Sequence, residues 1–347
     1  MRTAVGMSGG VDSSVCALLM KKTGAEVIGI TLRFHTEVCD DFRVCCSPED
    51  VRDAVRVSQH LGIPHITLSW EKVFEGRVID YFVRESLSGK TPNPCALCNR
   101  EVKTGYLAEY LSKVAHIDRL ATGHYAKIVD HKGKRLIGRA RDLKRDQSYF
   151  LSLVKEEHLR LLEFPLGDLT KEEVREIARG NGLPVWDKRD SQDVCFLMGK
   201  SPGEFLEELV GQKEGYFYLD GMPVGKHRGF FHYTVGQRKG LGIALGFPAY
   251  VCSIEAEGNA VYLCREEDLY RDWLLLEDLN PHLPMELWDK PMAQIRYRNK
   301  EVPVKDIEKT QKGYLIRLKE AVRGITPGQV CAFYEEGVLL GGGVIKV

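Results

Sequence analysis

Apolar residues in the first third of the chain follow two alternating rhythms. Short β-branched or apolar runs at Thr3–Met7, Val27–Phe34, His65–Trp70 and Arg119–Gly123 predict strands. Helical spacing separates them. Val15, Leu18 and Leu19 share one face of a helix that Ser13 or Ser14 caps and that ends near Gly24. Pro48–Leu61, with Glu49, Asp50 and Asp53 in its early turns, stops at Gly62, and Glu71–Ser86 and Arg100–Val114 also read as helical. Strand–helix alternation predicts an α/β fold with a doubly wound parallel sheet. Ligands of such sheets bind at the carboxyl ends of the strands, where Ser8, Leu32 and Gly123 fall.

Beyond about residue 210 the texture changes to aromatic and β-branched runs spaced by glycine. Gly215–Leu219, Arg228–Tyr233, Ala249–Ile254 and Ala260–Cys264 predict one small β-rich unit. Ala293–Tyr297, Tyr314–Leu318, Val330–Tyr334 and Val338–Val347 predict a second, closing as a β-barrel. Leu279–Pro284 reads as a linker. The expected division is an α/β unit at 1–207, a β-rich middle unit at 208–278 and a C-terminal barrel at 279–347.

At 347 residues with 44% hydrophobic and 28% charged residues, the chain has the balance of a globular protein with several cores. No apolar run reaches the roughly 18 residues of a membrane span, and Met1–Gly10 lacks a signal pattern, so the chain reads as cytoplasmic with no membrane partner. Lysine plus arginine and aspartate plus glutamate both number 49, so bulk charge makes no case for a nucleic-acid partner. Ten cysteines in a cytoplasmic setting point to catalytic, metal-binding or buried thiols.

Ser8-Gly9-Gly10-Val11-Asp12-Ser13 lies between a strand and a helix. Glycines there let the backbone close on an anion, and the amides opening the helix point at it. Ser8, Ser13 and Ser14 add hydroxyls, and Asp12 suits a Mg²⁺ accompanying phosphates. No lysine follows the glycines, so this is not the Walker pattern. The plainer reading is a Gly-Gly turn before a serine cap; the whole hexapeptide between strand and helix favours a phosphate loop.

The second signal is Thr91-Pro92-Asn93-Pro94-Cys95-Ala96-Leu97-Cys98-Asn99. Its Cys-x-x-Cys is placed just before a helix, where a thiol ionises more readily. Cys195 stands far along the chain in Asp190-Ser191-Gln192-Asp193-Val194-Cys195-Phe196. Taken alone, Cys195 reads as a buried apolar residue, and spacing alone leaves a zinc site at Cys95 and Cys98 open.

Taken with Ala121-Thr122-Gly123-His124-Tyr125-Ala126, Asp146-Gln147-Ser148-Tyr149-Phe150-Leu151, Thr234-Val235-Gly236-Gln237-Arg238-Lys239-Gly240-Leu241-Gly242, Arg296-Tyr297-Arg298 and Gly328-Gln329, these motifs run nearly end to end in one order. The chain resembles the bacterial-type tRNA-specific 2-thiouridylases of the ATP-pyrophosphatase class. The resemblance implies an adenine nucleotide α-hydrolase-like domain. It also implies adenylation of the C2 oxygen of a tRNA wobble uridine, followed by sulfur transfer that gives 2-thiouridine, AMP and pyrophosphate. Carried over, Gly6, Met7, Ser8, Gly9, Gly10, Val11, Asp12, Ser13, Leu32 and Gly123 would bind ATP with Mg²⁺. Cys98 would be the nucleophile and Cys195 the persulfide carrier, loaded by a sulfur-donor protein such as a cysteine desulfurase or a sulfur relay protein. Asn93, His124, Arg145, Asp146, Gln147, Arg296, Tyr297 and Gln329 would touch tRNA. One departure stands out: Cys95 occupies the family's usual aspartate position, which opens, beside the persulfide route, the alternative that Cys95, Cys98 and Cys195 hold a 4Fe–4S cluster. The family carries a pair like Cys45-Cys46, and no role is assigned to it.

Lys132, Lys134, Arg135, Arg139, Arg141, Lys144 and Arg145 fall within fourteen residues with only Asp142 opposing, which suits a phosphate backbone or a solvated hairpin equally. Arg296-Tyr297-Arg298-Asn299-Lys300 mixes charge with an aromatic, a weaker signal for RNA. An amide-forming ligase of the same class is the enzymatic rival, separated by whether ATP turnover requires tRNA. A non-catalytic RNA-binding protein with a structural metal predicts no AMP at all.

Overall fold

The computed structural model describes residues 1–34, 47–190 and 194–347. Cys45, Cys46 and Ser191–Asp193 lie outside them. The α/β unit holds β1 (Arg2–Gly6), β2 (Glu26–Arg33), β3 (His65–Ser69), β4 (Arg119–Thr122), a hairpin of β5 (Ala126–His131) and β6 (Lys134–Arg139), and β7 (Leu162–Glu163). Its parallel sheet runs in the order β3-β2-β1-β4-β7. β1 pairs with β2 on one side and β4 on the other, so the loops leaving β1 and β4 flank the point where strand order reverses. A ligand crevice opens at such a point.

Helix α1 (Val11–Lys22) leaves β1 through Ser8, Gly9 and Gly10, and its N-cap is Gly10 with no side-chain cap bond. The expected serine cap is therefore not used as one: Ser13 and Ser14 sit inside the first turn and donate back to the Gly10 carbonyl at 3.1 and 2.8 Å. Helix α2 (Pro48–Leu61) has the predicted bounds, with a Ser47–Asp50 capping box at its start and Gly62 left-handed, at φ 62°, at its end. The helix expected from Arg100 begins earlier. Pro94–Cys98 forms its first turn, capped by Asn93, whose Oδ1 accepts from the Ala96 amide at 3.1 Å. A π-helical stretch (Asn99–Tyr106) and Leu107–Lys113 continue it. Proline needs no amide partner in a first turn, so Pro94 starts a helix rather than an extended lead-in.

The middle unit is a four-stranded sheet of β8 (Gly215–Leu219), β9 (Met222–His227), β10 (Tyr250–Glu255) and β11 (Ala260–Cys264), in the order β10-β11-β8-β9. The strand expected at Arg228–Tyr233 is replaced: β9 ends at His227, Gly229 turns the chain at φ 147°, and Phe230–His232 is a 3₁₀ turn.

The C-terminal strands are β12 (Tyr270–Leu276), β13 (Asn280–Pro281), β14 (Met292–Gln294), β15 (Val302–Thr310), β16 (Gly313–Arg323), β17 (Val330–Glu335) and β18 (Val338–Val344). Their sheet runs β12-β16-β15-β14-β17-β18 and then continues into β6-β5, so the hairpin of the α/β unit completes it. Leu279–Pro284 is not a linker. β13 pairs with β18, Leu279, His282 and Leu283 are buried, and the His282 ring nitrogen lies 2.7 Å from the Val154 carbonyl. Burial pushes that imidazole down to about 4.

Arg139 locks the hairpin into the barrel. Its guanidinium donates to Asp146 at 2.7 Å, Gln294 at 2.8 Å and Glu301, and lies 3.8 Å over the Tyr334 ring. Removing a half-buried cation strands its carboxylates. Arg139→Met is expected to lose about 3 kcal/mol in urea unfolding; a loss below about 1 kcal/mol, the scale of an exposed pair, would show that the contact is not an interlock.

Candidate active site

Gly6 ends β1 and Met7 is buried behind it, its amide bonded to Ile30 and its carbonyl to Thr31. Leu32 is buried near the end of β2 and Val11 opens α1 against the core. Gly9 is left-handed at φ 71°, and a Cβ there would meet the Asp50 carbonyl oxygen at 2.1 Å. A Cβ on Gly123 would lie 2.9 Å from the Ser13 amide. Both positions therefore require glycine: the turn after β1 seats on α2, and the turn after β4 closes on the first turn of α1. Ser13 spans the loop, its hydroxyl accepting from the Ser8 amide at 3.1 Å while donating to Gly10. The result is a preformed cradle at the N-terminus of a twelve-residue helix, suited to an anion.

Asp12, in that first turn, accepts from the Tyr125 hydroxyl at 2.9 Å and from Lys171 Nζ at 2.7 Å, both on Oδ1. Lys171 is buried and also reaches Asp190 at 2.7 Å, which Arg175 and Arg145 approach at 3.0 and 3.1 Å. Burial pushes the Asp190 carboxyl up, but the Lys171 hydrogen bond and the surrounding cations prevail and hold it below the usual range. Lys188 similarly bridges Asp50 and Asp53 at 2.7 and 2.6 Å beneath the loop.

The cysteines sit on separate supports. Cys95 is exposed in the first helical turn and Cys98 is buried one turn on. Cys195 opens a 3₁₀ turn whose Phe196 packs on Phe74, Phe82 and Phe205. Cys98 belongs to that same apolar cluster, and Cys195 packs against it. The approach to Cys95 is clasped by the barrel: the Thr91 amide donates to Pro327 at 2.8 Å and Gln329 Nε2 donates to the Thr91 carbonyl at 2.8 Å. The cluster expected from the three cysteines is not assembled here. Among the described residues no three His, Cys, Asp or Glu side chains gather as a metal site, because Cys95 faces solvent while Cys98 is turned into the core.

Family models match the chain along its length: a tRNA methyl transferase HUP domain at 1–199, a tRNA methyl transferase PRC-barrel domain at 203–265 and an aminomethyltransferase beta-barrel domain at 271–345. The tRNA-specific 2-thiouridylase MnmA of Aquifex aeolicus is 60% identical, covering 100% of this chain and 99% of its own. The chain belongs to the tRNA-specific 2-thiouridylase family. Proteins of the same name from Persephonella marina (48% identical, 99% of this chain and 100% of theirs) and a Hydrogenobaculum species (47%, 100% of both) agree. A solved 4-thiouridine synthetase–RNA complex with ATP overlaps 60% of this chain and 49% of its own at a TM-score of 0.35 and 19% identity, too distant to add to this.

The residues that the 2-thiouridylase resemblance assigns to tRNA are spread over three supports and are largely tied to the chain itself. Asn93 is a helix cap, and Asp146 is buried, bonded to the Ala140 amide, Arg139 and Ser148. Gln147 pairs with the Tyr125 backbone at 2.9 and 2.8 Å, and Arg145 with Asp190. His124 bonds Thr122 at 2.7 Å; burial first, and the Lys103 charge second, push its imidazole down to about 3, so it is neutral at neutral pH. Arg296 donates to Thr326 at 2.6 Å, and Tyr297 lies against Phe150 with ring centroids 4.5 Å apart.

The basic stretch is not the open cationic surface that its sequence suggests. Lys132 pairs with Glu335, Lys134 with Glu156, Arg135 with Glu163, Arg139 with Asp146 and Glu301, and Arg141 with Glu173. The glutamates among these partners come from distant segments. The pairs of Lys134 and Arg141 are solvated and exchange readily for a phosphate, whereas Arg139 is committed to the barrel. Lys171 and Lys188 carry no sequence signal of a site. Lys171 lies within the Thr170–Glu173 capping box as the first helical residue, which explains it as an ordinary helix start.

Proposed function

We propose that this chain replaces the C2 oxygen of a tRNA wobble uridine with sulfur, using ATP to activate that oxygen. The observation that carries the reading is the preformed loop from Ser8 to Ser13, closed by Gly123 at the strand-order reversal, in a chain whose Cys98 and Cys195 border one apolar cluster. ATP lies with its phosphates on the loop amides. Asp12 is the carboxylate that would hold Mg²⁺, which, bound, spreads the charge of the leaving pyrophosphate. Its orientation is fixed by Lys171 and Tyr125.

The uridine oxygen attacks the α-phosphorus and the bond to pyrophosphate breaks. The terminal sulfur of a persulfide on Cys195 then attacks C2, and AMP departs with the original oxygen. The Cys98 thiolate attacks Sγ of Cys195, the S–S bond to the base breaks, and 2-thiouridine leaves with that electron pair. The remaining Cys98–Cys195 disulfide is returned to thiols by an external thiol. A sulfur-donor protein supplies the persulfide, and exposed cations such as Lys134 and Arg141 meet the tRNA backbone.

The test is a tRNA transcript incubated with ATP, Mg²⁺ and a sulfur source, with pyrophosphate and 2-thiouridine both quantified. Pyrophosphate release that does not require tRNA would move the chain to another reaction of the class. On this route Cys95 is not a sulfur carrier, so Cys95→Ser is expected to keep 2-thiouridine formation within about threefold of wild type after anaerobic purification, because a surface substitution costs little. Iron, sulfide and activity disappearing together in that variant would assign the three cysteines to a cluster instead.

A further inference from the structure

We propose that Lys171 is a positioning residue that ties pyrophosphate release at the nucleotide loop to sulfur delivery from the chain that carries Cys195. The inference rests on the thiolation reading and adds a coupling element to it. Lys171 is 5% exposed, yet its ammonium is shared between two carboxylates that belong to different parts of the reaction. Asp12 stands in the first turn of α1, at the phosphate cradle, with Lys171 Nζ 2.7 Å away. Asp190 immediately precedes the segment leading to Cys195, also 2.7 Å away. A buried lysine facing one carboxylate would be a simple ion pair; one facing two holds together groups that otherwise repel.

The other neighbours show which way this element transmits. Asp190 also accepts Arg175 Nη2 at 3.0 Å and faces Arg145 at 3.1 Å, and the Tyr125 hydroxyl shares Asp12 with Lys171. Asp190 is therefore held from three sides, whereas Asp12 depends on Lys171 and Tyr125. When the polyphosphate of ATP enters the loop, its negative charge arrives beside Asp12 and draws Lys171 toward it. When pyrophosphate leaves, that pull disappears and the ammonium returns to Asp190. Asp190, five residues before Cys195, thus registers phosphate occupancy through one side chain. Arg145 connects the same carboxylate to the surface proposed for tRNA.

The readout is the ratio of pyrophosphate to 2-thiouridine made in one reaction by the full chain, with tRNA transcript, ATP·Mg²⁺, a cysteine desulfurase with cysteine as the persulfide source, and an external thiol to reopen the disulfide. Wild type is expected near one to one. Asp190→Asn keeps Lys171 on Asp12 but removes the charge that ties it to the Cys195 chain. It is expected to raise the ratio about tenfold or more, since a small misplacement of a reacting group costs on the order of 10²-fold in rate. Lys171→Met should raise the ratio as well, and Lys171→Arg should restore it in part. A merely structural role would lower both products together, with a lowered Tm and an unchanged ratio, and that result overturns the proposal. Should Lys171→Met fail to fold, Asp190→Asn decides alone. Wild-type protein that makes neither product overturns the thiolation reading and this inference with it; one-to-one product in wild type and in both variants overturns the inference only.

Discussion

Asp12→Ala and Ser13→Ala will each cut tRNA-dependent release of AMP and pyrophosphate by about 10²-fold or more, the usual cost of one preorganised group at a site of developing charge. The two losses have different origins. Asp12 holds Lys171 and Tyr125 on one oxygen and is the carboxylate proposed above to hold Mg²⁺. Its removal leaves a buried ammonium facing only Asp190 and takes away the carboxylate proposed for the metal. Ser13 ties the Ser8 amide to the Gly10 carbonyl. Without it the cradle must be ordered anew each time ATP binds. Asp12→Ala is therefore expected to show its loss in turnover, and Ser13→Ala also in a raised KM for ATP. The measurement is pyrophosphate release over a range of ATP concentrations. A double variant that releases pyrophosphate at the normal rate would remove the chain from the ATP-pyrophosphatase class.

Cys98→Ser and Cys195→Ser should each abolish 2-thiouridine while leaving tRNA-dependent pyrophosphate release in place. A serine oxygen neither carries a sulfane sulfur nor attacks one, so no partial activity through the same route is available. The phosphate loop, on a separate support after β1, is untouched. Cys98 is buried in the apolar cluster, and serine there has a hydroxyl to satisfy. Some loss of stability is therefore expected for Cys98→Ser, about 1–3 kcal/mol if the hydroxyl finds no partner. Urea unfolding in parallel separates that loss from the chemistry, because the pyrophosphate assay reports on the folded fraction. Full thiolation by Cys98→Ser would show that the thiol is only a core residue.

Much of the α/β unit is legible in the sequence because its signals are local. β-branched runs, the acidic early turn of the helix from Pro48, Gly62 and the glycines after β1 each act within a few residues. The strands read less well where polar residues occupy them: Val302–Thr310 and Met222–His227 carry too little alternation to be recognised alone, and they are strands because neighbours supply the ladder. The cap of α1 differs from expectation for a related reason. Ser13 and Ser14 are good capping types, but the anion cradle places Gly10 at that position and uses Ser13 inside the turn.

The sequence by itself determined the family, and it singled out Ser8–Ser13, Cys95, Cys98 and Cys195 as candidates, because each of these readings depends on residue type and short spacing. Only the tertiary structure decided what those residues face. It drew Glu335, Glu156, Glu163, Glu301 and Glu173 against a stretch that reads as cationic, made a supposed linker into a barrel strand, carried the β5–β6 hairpin into the C-terminal sheet, and buried Lys171 between Asp12 and Asp190. The electrostatic and ladder partners come from segments far apart in the chain, and nothing in local propensity or periodicity encodes which distant carboxylate or strand edge will arrive; packing of the three units does.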